Sequence, residues 1–205
     1  MGPAWAGERP LILASRSSVR RDLLSRCGIE AELVPADLDE RAIEAVASAR
    51  GALPVPVARC LASAKATTVS CRRPRHFVLG ADQVLAVQDR GFAKATDRQE
   101  AAARLACLAG GEHQLISAGA IARDGVVLYE TIEIAELRMR RLSAGEIRAY
   151  LDIVGDDVLL SVGGYRIEGM GRVLFDRIRG DHAAILGLPL SGLIRYFREG
   201  GLLRL

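Results

Sequence analysis

Aromatic residues are scarce in this sequence: one Trp, four Tyr and four Phe make up 4% of 205 residues. A core must therefore be built mainly from Leu, Val, Ile and Ala, and few rings remain for stacking on nucleic-acid bases. Cysteine is also sparse. Cys27, Cys60, Cys71 and Cys107 form no CxxC pair and no metal-ligand spacing, so the expectation is reduced, mostly buried thiols in a cytoplasmic protein. His76, His113 and His182 stand too far apart to suggest a metal site and are read as structural. No apolar run approaches the roughly 20 residues of a membrane span, and the first ten residues hold no apolar stretch of signal-peptide length. Net charge is weak, +3 from 28 basic and 25 acidic residues that are interspersed, which does not favour a nucleic-acid partner. No internal repeat and no low-complexity tract is present.

Against these absences stands one informative stretch, Leu11 to Gly28. Leu11-Ile12-Leu13-Ala14 reads as a short buried strand. Ser15-Arg16-Ser17-Ser18 breaks it, Val19, Leu23, Leu24 and Cys27 recur at helical spacing, and Gly28 stops the helix. A turn between a strand's carboxyl end and a helix's amino end presents free backbone N–H groups and the positive end of the helix dipole, which favours an anion. Ser15, Ser17 and Ser18 add hydroxyls, and Arg16, Arg20 and Arg21 add forked cations that match phosphate. Two readings stay open here: a polyphosphate cradle, or a serine-capped helix with a solvated basic face. The stretch is neither a P-loop nor a dinucleotide fingerprint.

Further along, Glu30 to Val34 reads as a strand that runs into an acidic turn with Asp37, Asp39 and Glu40. That turn is a solvated loop or a set of oxygen ligands for a divalent metal. Arg41 to Leu53 is helical or partly mobile. A helix after Pro54 and Pro56 carries Val57, Leu61, Ala64 and Val69 on one side with Lys65 among them, either snorkelling out of the core or reaching the cradle. Phe77 to Gln83 reads as a strand ending in Gly80-Ala81-Asp82, where small residues admit a ligand and an acid sits at the strand end. Val84 to Val87 continues it, and Gln88 to Gly91 forms a hairpin turn. Thr96 with Gln99 is expected to cap a helix over Asp97 to Ala109. His113 to Ala122 and Val126 to Met139 pair around Arg123-Asp124-Gly125. Ser143 with Glu146 is a second capping box. Val162 to Gly171 is glycine-rich, Val173 to Ile178 is a strand, and Leu188-Pro189 opens the last helix.

Taken in order, these elements resemble the Maf family of nucleotide pyrophosphatases. The family's LILAS strand is similar to Leu11 to Ser15, its turn and basic pair to Ser17-Ser18-Val19-Arg20-Arg21, and its acidic turn to Asp37-Leu38-Asp39-Glu40. Its LAxxKA helix corresponds to Leu61 to Ala66, its GAD to Gly80-Ala81-Asp82, its isolated lysine to Lys94, its late loop to Gly164–Gly171, and its GLP to Gly187-Leu188-Pro189. The resemblance spans Leu11 to about Leu193. It implies one Maf-like domain over residues 1–205, an α/β fold of the Maf/ITPase-like kind. That fold is an elongated mixed sheet flanked by helices, in two lobes with a central cleft. The implied reaction is hydrolysis of a nucleoside triphosphate to the monophosphate and pyrophosphate, in a cytoplasmic homodimer that uses neither nucleic acid nor membrane. Asp82 is the implied catalytic acid–base group; Ser15, Arg20, Arg21, Lys65 and Lys94 the phosphate ligands; Asp37 and Asp82 the ligands of magnesium or manganese. Asp39 or Glu40 can replace Asp37 in that set. Arg16 and Arg166 have no matched role and are read as surface residues.

The sequence departs from the family at informative places. Ser18 and Ala95 replace prolines. The commonest form of the family has arginine at Val19, threonine at Gln83 and glutamine at Glu168. A subfamily acting on 7-methyl-GTP is similar to this chain in its glutamine and glutamate, with tryptophan at Val19. A carboxylate only accepts hydrogen bonds, so Glu168 suits the N1–H and 2-amino donors of guanine, whereas a glutamine amide suits uracil or thymine. Mismatch at a buried polar site discriminates by about 10⁴ in favourable cases. The missing tryptophan removes a stacking platform worth roughly 1–3 kcal/mol. The expectation is therefore a guanine-type or modified base such as 7-methyl-GTP. The alternatives are a dTTP/UTP pyrophosphatase of the same family or a non-catalytic nucleotide-binding regulator of cell division.

Overall fold

The computed structural model describes residues 4–49 and 51–204. One seven-stranded mixed sheet runs through it in the order β2-β1-β3-β5-β6-β7, with β4 attached to β3. The strands are β1 (Leu11–Leu13), β2 (Ala31–Leu33), β3 (Val78–Val87), β4 (Arg90–Phe92), β5 (Glu112–Arg123), β6 (Val126–Met139) and β7 (Phe175–Arg179). Pairing of β1 with β2 and β3 is parallel; every other ladder is antiparallel. The helices are α1 (Ser18–Arg26), α2 (Glu40–Ala49), α3 (Pro54–Arg72), α4 (Arg98–Leu108), α5 (Ala144–Val154), α6 (His182–Ile185) and α7 (Leu190–Glu199). Short 3-10 turns cover Gly155–Leu160 and Met170–Leu174. Arg50, inside the stretch expected to be helical, lies outside the described residues.

The central strand shows why the sheet opens. One edge of β3 is paired along Val78 to Ala86 with β5. The other edge meets β1 only at Val78 and Leu79, and β4 only from Leu85 onward. Residues 80–84 therefore face a fork in the sheet, and Asp82 stands in it. Gly80 is required beneath this fork, because a Cβ there would lie 2.1 Å from Ala62 O and 2.6 Å from Ala66 N of α3. The helix thus packs backbone to backbone on the strand, bringing Lys65 up to Asp82.

Two apolar clusters flank the fork. One joins Trp5, Leu11, Leu24 and Ile29 to Leu193 and Phe197 of α7; the other joins Leu105 of α4, Leu137 of β6 and Ile147 of α5 to Tyr165 and Phe175. Local signals read from sequence hold at most element ends. Ser17 caps α1, accepting from Arg20 N, and Ser143 and Glu146 form a complete capping box. Asp124 and Gly125 both take positive φ, 51° and 81°, as the tight β5–β6 hairpin demands. The cap of α4 is corrected by one residue. Asp97, not Thr96, accepts from Glu100 N, and Glu100 rather than Gln99 reaches back to Thr96 N and Oγ1. A carboxylate is the stronger acceptor for a helix's first N–H groups.

The cysteine expectation is also corrected. All four thiols are free and exposed. Cys60 and Cys71 lie on the outer face of α3, Cys107 on that of α4, and Cys27 at the end of α1, because Leu, Val and Ala take the inward positions.

Candidate active site

A cleft of about 740 Å³ opens at the fork. The β1–α1 turn, α2, the middle of α3 and β3, the segment after β4 and the late loop around Tyr165 all contribute to its walls. Ser15, Val19, Arg20, Asp37, Lys65, Asp82, Gln83, Lys94 and Glu168 line it together. Arg21 does not: it is exposed, and its guanidinium pairs with neighbouring Asp22 at 3.3 Å.

At the floor, Lys65 Nζ donates to Asp82 Oδ1 at 2.6 Å and to Glu40 Oε2 at 2.7 Å. Lys65 and Asp82 are both 7% exposed. The choice left open for Lys65 is thus decided: it turns inward and is paired. Glu44, one helical turn after Glu40, has its carboxyl pushed above the usual range by burial and by nearby Asp82 and Glu40. Arg20 crosses above. Its Nε donates to Gly187 O and its Nη1 to Ala81 O, each at 2.8 Å, with Ser15 Oγ at 3.4 Å from Nη1. Burial lowers the pKa of this guanidinium, and Asp82 and Glu40 partly offset that. Lys94 faces the open cleft, yet the walls desolvate its ammonium enough to lower its pKa, helped by Arg20.

Asp37 has φ of 49°, a conformation that Asp tolerates better than most side chains, and its carboxylate pairs with Arg16 at 3.3 Å. The acid linked to Asp82 through Lys65 is Glu40. Asp39 instead accepts from Ala42 N as a turn into α2. Among the described residues no group of three or more His, Cys, Asp or Glu is spaced to hold an ion unaided. The carboxylates of Asp82 and Glu40, with Glu44 beside them, still form an all-oxygen donor set. Hard oxygen donors of this kind suit magnesium or manganese.

At the far end, Gln83 Nε2 donates towards Ser117 Oγ at 3.1 Å and to Ala184 O and Ile185 O at 3.0 Å. Since both carbonyls only accept, the amide orientation is set, and Oε1 is the polar atom Gln83 offers the cleft. Glu168 is held by Arg166 at 3.0 Å; Arg166 is partly exposed, as expected from sequence, but lines the cleft.

Two buried residues that the sequence reading left out hold the walls. Arg104 Nη1 donates to Ala93 O at 2.6 Å and Val162 O at 2.8 Å, joining the residue before Lys94 to the late loop. Its guanidinium lies over Phe92. Tyr165 OH pairs with His113 Nε2 at 2.6 Å. Burial lowers the His113 pKa to about 4, so the imidazole is neutral and the Tyr165 phenol, its pKa raised by burial, stays protonated. Only the helical period of α4, which turns Arg104 inward beside Ala101, Leu105 and Leu108, offered a sequence signal for any of this.

Comparison with known proteins adds a second line. Residues 10–200 match the family model described as Maf-like protein. A nucleoside triphosphate pyrophosphatase of Rhodopseudomonas palustris is 51% identical over 199 residues, covering 97% of this chain and 98% of the relative. One of Bradyrhizobium diazoefficiens is 46% identical over 195 residues, covering 95% and 96%. A 7-methyl-GTP pyrophosphatase of Mesorhizobium japonicum is 47% identical over 191 residues, covering 93% and 96%. The forked mixed sheet, the cleft and the near full-length match agree, and the chain belongs to the Maf family.

Proposed function

We propose that this chain, read as one Maf domain over residues 1–205, is a nucleoside triphosphate pyrophosphatase that releases pyrophosphate and a nucleoside monophosphate. The observation that carries the reading is the Glu40–Lys65–Asp82 set, with Lys65 and Asp82 buried and Glu40 half-exposed at the cleft, placed on the floor of a cleft whose rim is the Ser15 to Arg20 turn. Asp82 accepts a proton from the attacking water. The water oxygen bonds to the α-phosphorus, and the bond from that phosphorus to the oxygen bridging the β-phosphate breaks. Lys65 orients the Asp82 carboxylate through their 2.6 Å ion pair. Lys94, the unspent Nη2 of Arg20 and the Ser15 hydroxyl face the negative charge that gathers on the leaving pyrophosphate. Asp82 and Glu40 would hold magnesium or manganese, which would add charge neutralisation when bound. Asp37, paired with Arg16, is the less suited second ligand, and Arg21 acts from outside the cleft.

The base reading follows from polarity. Gln83 offers a carbonyl oxygen and Glu168 a carboxylate, both acceptors, and a guanine edge brings two donors, N1–H and the 2-amino group. UTP and dTTP present a carbonyl against the same acceptors. Val19 supplies apolar contact where a stacking ring would sit, so a guanine-type base is favoured and 7-methyl-GTP stays within reach. The reading includes a cytoplasmic homodimer working without nucleic acid or membrane; no helix among the described residues is long and apolar enough to cross one. Pyrophosphate release should be measured on GTP, 7-methyl-GTP, UTP, dTTP, CTP and ATP with magnesium or manganese. Guanine-type substrates leading the order support the reading. Leading UTP or dTTP would overturn the base assignment, and tight binding without turnover would favour the non-catalytic regulator. Light scattering on the eluted peak tests the dimer.

A further inference from the structure

We infer that Arg166 is a specificity-determining residue: by pairing with Glu168 it cancels the charge at the base end of the cleft and disfavours a cationic base. The inference rests on the nucleotide reading above. Arg166 is fixed at its backbone. Tyr165, the residue before it, donates its N–H to Ser161 Oγ at 2.9 Å and is buried against His113 and Phe175. The chain returns so closely at Gly171 that a Cβ there would lie 2.5 Å from Arg166 O and 2.6 Å from Arg166 N. From this anchor the guanidinium reaches Glu168, with Nε and Nη2 each 3.0 Å from the same oxygen, Oε1. Nη1 lies 3.7 Å from Asp157 Oδ2, on the 3-10 turn that follows α5. Both side chains line the cleft, and they are 37% and 33% exposed.

Two consequences follow from the fork closing on one oxygen. Glu168 Oε2 is left for a donor on the base, which keeps the preference for N1–H or an amino group. The base also meets the Arg166 cation beside the carboxylate, 3.0 Å from Glu168 and more loosely paired with Asp157 at 3.7 Å. A neutral guanine gains the hydrogen bond with little net electrostatic effect. A 7-methylated guanine carries positive charge on its ring; the carboxylate attracts it and the guanidinium repels it, so the charge brings little advantage. An unpaired Glu168 would favour the cationic base instead. Arg166 and Val19 thus act in the same direction, both withholding what a methylated base would use.

The test compares wild type with Arg166→Gln, Arg166→Met and Arg166→Lys, at mildly acidic pH where the methylated base keeps its charge. The quantity read is kcat/KM for 7-methyl-GTP divided by that for GTP. Removing the cation should raise this ratio about tenfold, in both the Gln and the Met variant, while Lys should hold it near the wild-type value. A merely structural role would change both substrates alike. An unchanged or lowered ratio in the Gln and Met variants overturns the inference while leaving the pyrophosphatase reading intact. Absence of turnover in the wild type would overturn that reading separately. In that case calorimetric titration of the same variants with GMP and 7-methyl-GMP decides the inference, by the same tenfold change in the affinity ratio or by its absence.

Discussion

The two ends of the cleft are built by different means. At the phosphate end, Asp82 lies on the central strand, Lys65 on a 19-residue helix packed onto it, and Arg20 spends three donors on the protein itself. At the base end, Glu168 sits on a loop between two 3-10 turns, held by a half-exposed pair with Arg166. The first arrangement keeps buried charges paired and fixed, as transition-state stabilisation requires. The second offers acceptors that a modest substitution can re-tune. Chemistry and selectivity are thereby separated along one cleft, and Arg104 ties the two ends together.

The sharpest test of that separation is Asp82→Asn. It should lower kcat about 10³-fold, within the usual span for a lost general base, while leaving the order of preference among bases unchanged. A shifted order would break the distinction. Next in size is Glu168→Gln at the other end. Selectivity between GTP and UTP should fall about 100-fold with kcat on the better substrate nearly unaltered; unchanged selectivity would remove Glu168 from base reading. Arg104→Met should affect both ends at once. It leaves the buried Val162 carbonyl and the partly buried Ala93 carbonyl without their donor and should cost about 2 kcal/mol in urea unfolding, with a rise in KM for every substrate. A loss confined to one substrate would show that Arg104 serves only the loop.

The last effect concerns pH. His113 binds its proton at about 4 in the folded chain, against an ordinary value of 6.5. The unfolded state therefore takes up more protons between these values. The stability from burying the neutral imidazole is complete above about pH 6.5 and is lost as pH falls towards 4, by at most about 1.4 kcal/mol per unit. His113→Phe should flatten that part of the stability profile, though it also strands the Tyr165 hydroxyl. An unaltered slope would mean that the acid sensitivity lies in another group.

Much of this was legible from the chain because the signals are local. A strand followed by serines and a leucine-spaced helix gave the β1–α1 turn, and Ser143 with Glu146 marked a cap; Gly80-Ala81-Asp82 marked the working stretch of β3, although Asp82 lies at mid-strand beside the fork and not at the strand end expected. What could not be read was which distant groups would pair. Glu40 stands 25 residues from Lys65, and Arg104 reaches Val162 across 58; no periodicity encodes those meetings. Arg166 looked like surface because its partner, two residues on, lies beside it only when the loop folds back on Gly171. The cysteines misled through composition: a small apolar residue is usually interior, yet each lies on an outward face.

The central claim is that this cleft cleaves between the α- and β-phosphates. Phosphorus NMR of GTP incubated with the wild-type chain and magnesium reads that bond directly. The account requires GMP and pyrophosphate to appear in equal amounts, and neither to appear with Asp82→Asn on the same timescale. GDP with inorganic phosphate, or equal turnover by the two proteins, would contradict it.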